Sequence, residues 1–382
     1  MSGSMARVER IYHDRGQRAR ELKAEGRKII GYLCSLVPVE LLTAADLVPY
    51  RMTGSIKEPI TQADSYLETI ACPFTRSAFD LALKGKYSFL DGYVMPHACD
   101  NIVKLYDLWA HNIKHTYAHF VNVPHTLSPP SLEFFTAELS MFKRSLERFV
   151  GHDITAAALR RSIRLHNRQR TLVRRLYRLR RRDPPPVSGT EMTKVLSAAM
   201  SLPVTEANEL LESVISEVKA RSPLQGKKGG VRLMIYGTGN EEATFIEMVE
   251  GTGAQVVVDD LCFGTRPYWF EVEAADDILA GIAKSYLEKM NCPRTYRQSP
   301  GSHQEDLENR FGYIYQLARD FKVQGVIFFI LRYCDTHCFD APDVKEYLEG
   351  KGLPVLQIEE EYPISGIGRL KTRVEAFCEM IG

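Results

Sequence analysis

Eight cysteines occur in this chain, but no CxxC pair and no C-x-x-C-x-x-C run is among them. That excludes the zinc-ribbon and ferredoxin spacings, in which consecutive ligands share one tight loop. No G-x-x-x-x-G-K-[ST] phosphate loop is present either; Gly226-Lys227-Lys228 is the nearest approach and lacks both the spacing and the hydroxyl. The chain therefore has no sequence device for ATP hydrolysis of that kind. No apolar run comes near the roughly 20 residues that cross a bilayer. The first 16 residues, MSGSMARVERIYHDRG, hold no apolar stretch of the secretory type, so the expectation is a reducing cytoplasm. Charge is nearly balanced, at a formal +1, so no overall field points to nucleic acid or to a membrane. Repeats of 20 to 50 residues and low-complexity stretches are also absent.

What remains is a chain of 382 residues with ordinary globular composition, enough for two or three domains. Without an export signal a disulfide framework is not expected, and the thiols are expected to be buried, catalytic or metal-bound. Short apolar runs at 28–33, 48–52, 90–95 and 117–123 read as strands, separated by helical segments. Residues 6–27 read as a charged helix, and Pro38 suits the first turn of a helix over 40–45. From 131 to 221 the pattern is helical throughout. An alternating pattern resumes with strands at 231–236, 255–258, 325–333 and 354–358. The reading is an α/β fold: two Rossmann-like or flavodoxin-like parallel-sheet domains with a helical segment between them. The expected boundaries are 1–130, 131–228 and 229–382, the last placed at the Gly/Lys linker 225–230.

Five cysteines, Cys34, Cys99, Cys262, Cys292 and Cys334, fall just after predicted strands or at helix-to-loop junctions. Open parallel sheets bind ligands outside the carboxyl ends of their strands. Two such sheets facing each other bring Cys99 and Cys334 toward one cleft. Any one of these thiols alone is equally well read as a small buried apolar group; Cys378, within the last helix, is read that way.

Other signals are read more plainly. The arginine run at 160–182 lacks interleaved aromatics, so a solvated helix face is favoured over nucleic acid, with CoA phosphates or an acidic partner surface as a middle reading. Gly237-Thr238-Gly239-Asn240 lacks the third glycine of a dinucleotide fingerprint, although Asp259 stands where a ribose-binding acid would. His97 and His337, near Cys99 and Cys334, are candidate proton donors or hydrogen-bonded structural histidines. His111, His115, His119 and His125 show no metal spacing.

Several motifs, weak singly, have a specific order. They are Gly31-Tyr32 with Val37-Pro38-Val39-Glu40-Leu41-Leu42; Cys72-Pro73; Cys99-Asp100 with Lys104-Leu105-Tyr106; Asn167-Arg168 through Pro184-Pro185 to Ser188-Gly189; Asp259-Asp260-Leu261-Cys262 with Gly264-Thr265-Arg266; Cys334-Asp335; and the stretch from Gly368 to Phe377. Over almost its whole length the chain resembles the 2-hydroxyacyl-CoA dehydratase and benzoyl-CoA reductase family. The resemblance implies a [4Fe–4S] cluster on three cysteines, at positions matching Cys72, Cys99 and Cys334, with the fourth iron open. It places Cys34 and Glu40 in the substrate-facing region. It implies one-electron ketyl chemistry on an acyl-CoA, a homologous second subunit, and a separate ATP-hydrolysing iron–sulfur activator. That last partner agrees with the missing phosphate loop.

The double-cubane cluster proteins are a close relative group, homodimeric and acting on small molecules. Cys262 and Cys292 resemble two of their extra ligands. A further Cys-Pro expected between the first two ligand positions is missing at 83–87, and Cys338 is a candidate to replace it. A non-catalytic electron-transfer or structural subunit is the reading from another class.

Overall fold

The computed structural model describes residues 3–221, 230–238, 242–297, 299, 301–362, 364 and 366–382. The linker at 225–229 and the Gly239-Asn240 half of the glycine turn lie outside these residues. Among the described residues eight strands form in chain order: β1 (Ile29–Tyr32), β2 (Val48–Arg51), β3 (Gly92–Pro96), β4 (Tyr117–Val121), β5 (Arg232–Gly237), β6 (Gln255–Asp260), β7 (Gly325–Leu331) and β8 (Val355–Glu360). They make two four-stranded sheets, ordered β2-β1-β3-β4 and β6-β5-β7-β8, and every pairing is parallel. The two sheets share one topology, and it is the opening part of the flavodoxin-like strand order. In each, the order reverses beside the first strand, between β1 and β3 and between β5 and β7. That reversal point is where such sheets open a crevice at their carboxyl ends.

Central strands β3, β5 and β7 are buried along their whole length, as parallel strands covered on both faces must be. Fourteen helices cover them among the described residues: α1 (Ser4–His13), α2 (Gln17–Ala24), α3 (Val39–Ala44), α4 (Pro73–Leu83), α5 (Asp100–Asn112), α6 (Pro129–Val150), α7 (Ala156–Leu179), α8 (Gly189–Ala199), α9 (Val204–Ala220), α10 (Thr244–Glu250), α11 (Ile278–Lys284), α12 (His303–Asp320), α13 (Asp335–Gly350) and α14 (Ile367–Ile381). Local chemistry explains their ends. Ser128 caps α6, with two prolines in its first turn, and Gly151 ends it at φ 82°. Ser188 with Glu191, and Ser302 with Glu305, form reciprocal capping boxes at the starts of α8 and α12.

Two differences from the sequence reading have clear causes. The expected helix at 6–27 is two helices, because the chain turns through residues 14–16 between α1 and α2. Helix α13 starts at Asp335 instead of near 344; Pro342 lies inside it and had argued for a later start.

The helical middle of the chain is divided between the two sheets. Helix α6 joins the core of the first sheet, through Phe135, Leu139, Phe142 and Leu146. Helices α8 and α9 pack instead on the second sheet, where Val195 and Leu211 share a core with Met234 and Phe328, while α7 spans both cores, with Leu159 and Ile163 in the first and Leu172 and Leu176 in the second. Residues Phe270 to Met290 cross back to the first core beside Val94 and Val121. This crossing segment carries Cys262 and Cys292 on its two flanks, so it brings C-terminal thiols to the N-terminal sheet.

The arginine run on α7 makes the crossing possible. Arg160 donates to the carbonyl of Ala274, Arg170 to Pro267, and Arg174 to Tyr268 and Phe270. Arg180, 1% exposed, reaches the carbonyl of Val256. Arg160, Arg170 and Arg174 satisfy carbonyls of the crossing segment outside any strand, while Arg180 reaches strand β6. Part of the run is thus buried internal scaffolding, which the solvated-face reading did not foresee.

Candidate iron–sulfur site

Six of the eight cysteines line one cavity of about 120 Å³ between the two sheets: Cys34, Cys72, Cys99, Cys262, Cys292 and Cys334. Their sequence positions span 300 residues (334 − 34). Three of them share a local design. Cys72, Cys99 and Cys334 are the N-cap residues of α4, α5 and α13. The positive ends of three helix dipoles therefore point at three sulfurs, which favours negative charge there. Pro73 supports this geometry, being the first residue of α4 with no N–H to lose. Cys72 is held further by Asn101 Oδ1, which accepts its backbone N–H at 3.0 Å. Tyr333, immediately before Cys334, has φ 62°, an unusual conformation for a bulky residue. Cys34, at the end of β1, has φ 47°. Non-glycine residues held in this region mark places where the surrounding structure enforces a position.

The electrostatics divide the six thiols into two groups of three. Burial pushes Cys72 up to about 12, and the neighbouring Cys99 adds to it, while the amides of Phe74 and Thr75 pull the other way. Burial also raises Cys334 well above the ordinary thiol range, reinforced by Cys72 and Cys99, and raises Cys99 itself. In the second group, burial and then Cys262 push Cys34 up to about 11, against the pull of Arg51. Cys292 rises to about 12 by burial, with Arg266 opposing and Cys262 and Cys34 adding to the rise. As free thiols Cys34, Cys72, Cys99, Cys292 and Cys334 hold their protons. Metal binding must release those protons, because the thiolate is the ligand.

Three buried arginines line the same cavity, and none of them stood out in the sequence as a site residue. Arg266 forms an ion pair with Asp260 at 3.2 Å and approaches Cys262 Sγ with Nη1 at 3.1 Å. Asp260 is held in turn by Tyr313 Oη at 2.8 Å. Arg294 donates to the carbonyls of Ala98 and Val123, at 3.2 and 2.6 Å. Arg51 ends β2. Of the three, only Arg266 belongs to one of the ordered motifs; an isolated arginine at a strand end carries no signal of its own.

The remaining candidates separate. His337 lines the cavity, is 3% exposed, and its Nδ1 has no hydrogen-bond partner. Burial and the nearby Arg266 hold this imidazole neutral, well below its usual range. Its ring packs edge-on against Tyr236 and Phe328. His97 does not line the cavity; its Nδ1 lies 3.0 Å from Asn122 Oδ1 at the surface. Glu40 is also outside the cavity lining and fully buried. Its Oε1 is 2.7 Å from Arg170 Nη2, and its Oε2 accepts from Tyr286 Oη at 2.7 Å. Cys338 is exposed, one turn along α13, and does not reach the cavity. Asp259, the supposed ribose acid, is 7% exposed and is taken up by Tyr177 and the Thr265 amide. That placement removes the dinucleotide reading.

The residues fit a cubane. Among the described residues no three His, Cys, Asp or Glu side chains converge on a single metal ion. A cubane asks for something wider, since each of three thiolates binds a different iron. Three helix-capping thiols lining one largely apolar cavity suit that requirement, and His337, whose Nδ1 has no hydrogen-bond partner, lines the same space.

A model of the family "2-hydroxyglutaryl-CoA dehydratase, D-component" matches residues 34–381. The chain belongs to this family. Among its relatives, one of the subunits of benzoyl-CoA reductase from Thauera aromatica is 27% identical over 363 residues, covering 93% of this chain and 92% of the relative. The (R)-phenyllactyl-CoA dehydratase beta subunit of Clostridium sporogenes is 24% identical, with 95% and 94% covered. The beta subunit of (R)-2-hydroxyglutaryl-CoA dehydratase from Acidaminococcus fermentans is 25% identical, with 94% of each covered. The chain is thus a member of an enzyme family of CoA-thioester dehydratases and reductases. Those relatives are named as subunits, hence as parts of multi-subunit complexes. Among the described residues no helix is long and apolar enough to cross a membrane.

Proposed function

We propose that this chain is the iron–sulfur catalytic subunit of a low-potential CoA-thioester reductase or dehydratase, benzoyl-CoA reductase-like, in the cytoplasm of an anaerobic cell. The observation that carries the reading is the convergence of three helix-capping thiols, Cys72, Cys99 and Cys334, in one cavity at the mouths of both sheets. These three would hold a [4Fe–4S] cluster. When bound, such a cluster supplies single electrons at low potential and one open Lewis-acidic corner. The chain's own groups exclude water, compensate charge and position the acyl group. His337, neutral at the cavity wall with no partner for its Nδ1, would hydrogen-bond a group bound there. Electrons come from a separate ATP-hydrolysing activator, and a homologous second subunit, or a second copy, completes the assembly. Anaerobic purification followed by iron and sulfide analysis tests the reading; a protein without iron refutes it.

A second reading has a specific observation behind it. Cys34, Cys262 and Cys292 line the same cavity as a second set of three thiols, and buried Arg266 and Arg294 beside them suit an anionic group. Two linked cubanes in one chain would use all six cysteines, and small molecules would then replace acyl-CoA as substrates. Iron content separates the two: about four per chain for one cubane, about eight for two. Changing Cys262 or Cys292 to alanine would remove iron only in the second case.

A further inference from the structure

Arg51 is the one arginine of the cysteine cavity whose charge nothing in the described structure answers. It is 2% exposed. Arg266 has Asp260, and Arg294 has three backbone carbonyls. Arg51 has two aromatic faces, Phe263 at 4.4 Å and Tyr32 at 5.3 Å, from its guanidinium carbon to the ring centres. Among the described residues its guanidinium forms no ion pair, and its Nε has no hydrogen-bond partner. A buried guanidinium carries five N–H donors, and leaving them unmade is costly unless a ligand accepts from them.

Its position says which ligand. Arg51 and Cys262 line both the cysteine cavity and a second one of about 50 Å³ behind it. Tyr32, Ser35, Gln169 and Tyr268 also face that second space. Its volume holds roughly three to five water-sized groups, too few for a nucleotide but enough for a short acyl chain. We propose that Arg51 binds the carbonyl or carboxylate oxygen of a short acyl group lodged in this second cavity beside Cys262, and so stabilises the negative charge that develops on that oxygen. This deepens the proposed function and rests on it. In that chemistry one electron from the low-potential iron–sulfur donor enters the C=O π system. The carbonyl carbon becomes a radical centre, the oxygen becomes an oxyanion, and no proton moves in the step. The guanidinium accepts no proton either; its N–H groups hydrogen-bond the oxyanion. A carboxylate bound in the ground state mimics that charge.

The test uses the protein as purified anaerobically, with propionate and its neutral isostere propionamide titrated by calorimetry. Wild type is expected to bind propionate at least tenfold more tightly than propionamide. In Arg51→Met that preference should shrink to within about twofold, since a buried charge-assisted hydrogen bond corresponds to a ten- to hundredfold change in affinity. Arg51→Lys, which keeps the charge, should retain part of it and also serves if the methionine variant does not fold. Propionate should additionally perturb the visible spectrum of wild type and leave that of Arg51→Met unchanged. A wild type with full iron and no preference for propionate overturns the proposal, as does a preference that persists in Arg51→Met. An iron-free wild type instead refutes the cluster reading, so the two failures are distinguishable. Loss of iron in Arg51→Met together with no propionate preference in wild type would assign Arg51 to the cluster and likewise overturn the proposal.

Discussion

The buried pair between Glu40 and Arg170 decides whether Glu40 does chemistry or holds the fold. Glu40 is 0% exposed on α3 and Arg170 is 4% exposed on α7. At 2.7 Å and an effective dielectric near 20, their attraction is about 6 kcal/mol. Each ion loses several kcal/mol of hydration on burial, so the pair as a whole comes close to breaking even. Removing one partner is different. Arg170→Met leaves a fully buried carboxylate whose remaining side-chain donor is Tyr286 Oη. The expected loss is about 3–5 kcal/mol. Glu40→Gln should cost less, because Arg170 keeps Asn167 Oδ1 at 3.0 Å and the Pro267 carbonyl at 3.3 Å. The double variant Glu40→Leu/Arg170→Met removes both charges and should be more stable than Arg170→Met alone.

Acid titration adds a signature. Burial alone would raise the Glu40 carboxyl, but Arg170, then His166 and the Tyr286 hydroxyl, reverse this and hold it below its usual range. A depressed carboxyl stabilises the fold above the unfolded value, about 4.3, and loses that contribution as pH falls through the folded value. Wild type should therefore lose stability below about pH 4.3 more steeply than Glu40→Gln. Urea unfolding of the four proteins under anaerobic conditions, at pH 7 and on the acid side, measures all of this. Equal stability of Arg170→Met and wild type would refute the reasoning, as would a double variant less stable than Arg170→Met.

Further predictions concern the approach to the proposed cluster and its ligands. Asp80 Oδ1 accepts the amides of Thr61, Gln62 and Ala63, and Lys84 pairs with its other oxygen. Asp80→Ala should cost about 1–3 kcal/mol and raise proteolysis at 56–70, the segment that leads into Cys72. Although burial opposes it, Lys84 and those amides hold the Asp80 carboxyl below its usual range, so this stabilisation should fade as pH falls below about 3.9, a fade that Asp80→Ala should not show. Asp260→Asn should loosen Arg266 from Cys262 Sγ and shift the visible and EPR spectra of the iron–sulfur protein if Cys262 is a ligand; unchanged spectra with full iron would remove Cys262 from the site. Cys378→Ala and Cys338→Ala should leave iron content at the wild-type level, since neither residue lines the cavity; a loss in either would show that the ligand set is misassigned.

Much of this architecture is legible in the amino-acid order. All eight strands lie on short apolar runs, most of them closed by a nearby Pro, Gly or Cys, and the signal is uninterrupted in β5 and β7, which are buried along their whole length. Cys99 and Cys334 are placed at strand ends by that same signal. Three things were hidden. Pro342 masked the first turns of α13, and with them the capping role of Cys334. The return of residues 270–290 to the first sheet has no local signature, since a segment's apolar face does not name its partner. The role of Glu40 was hidden for a related reason: its cation, Arg170, is 130 residues away (170 − 40) within a run that reads as a charged surface. Arg51 shows the same blindness, because a lone arginine at a strand end looks solvated until the structure buries it.

The central claim is that Cys72, Cys99 and Cys334 are ligands of one metal cluster. The direct measurement is the iron and acid-labile sulfide content, with EPR after reduction, of anaerobically purified wild type and of Cys72→Ala, Cys99→Ala and Cys334→Ala. The account predicts about four irons or more per wild-type chain and a substantial loss of iron in each variant. Full iron content in any one of the three, with an unchanged EPR signal, would contradict it.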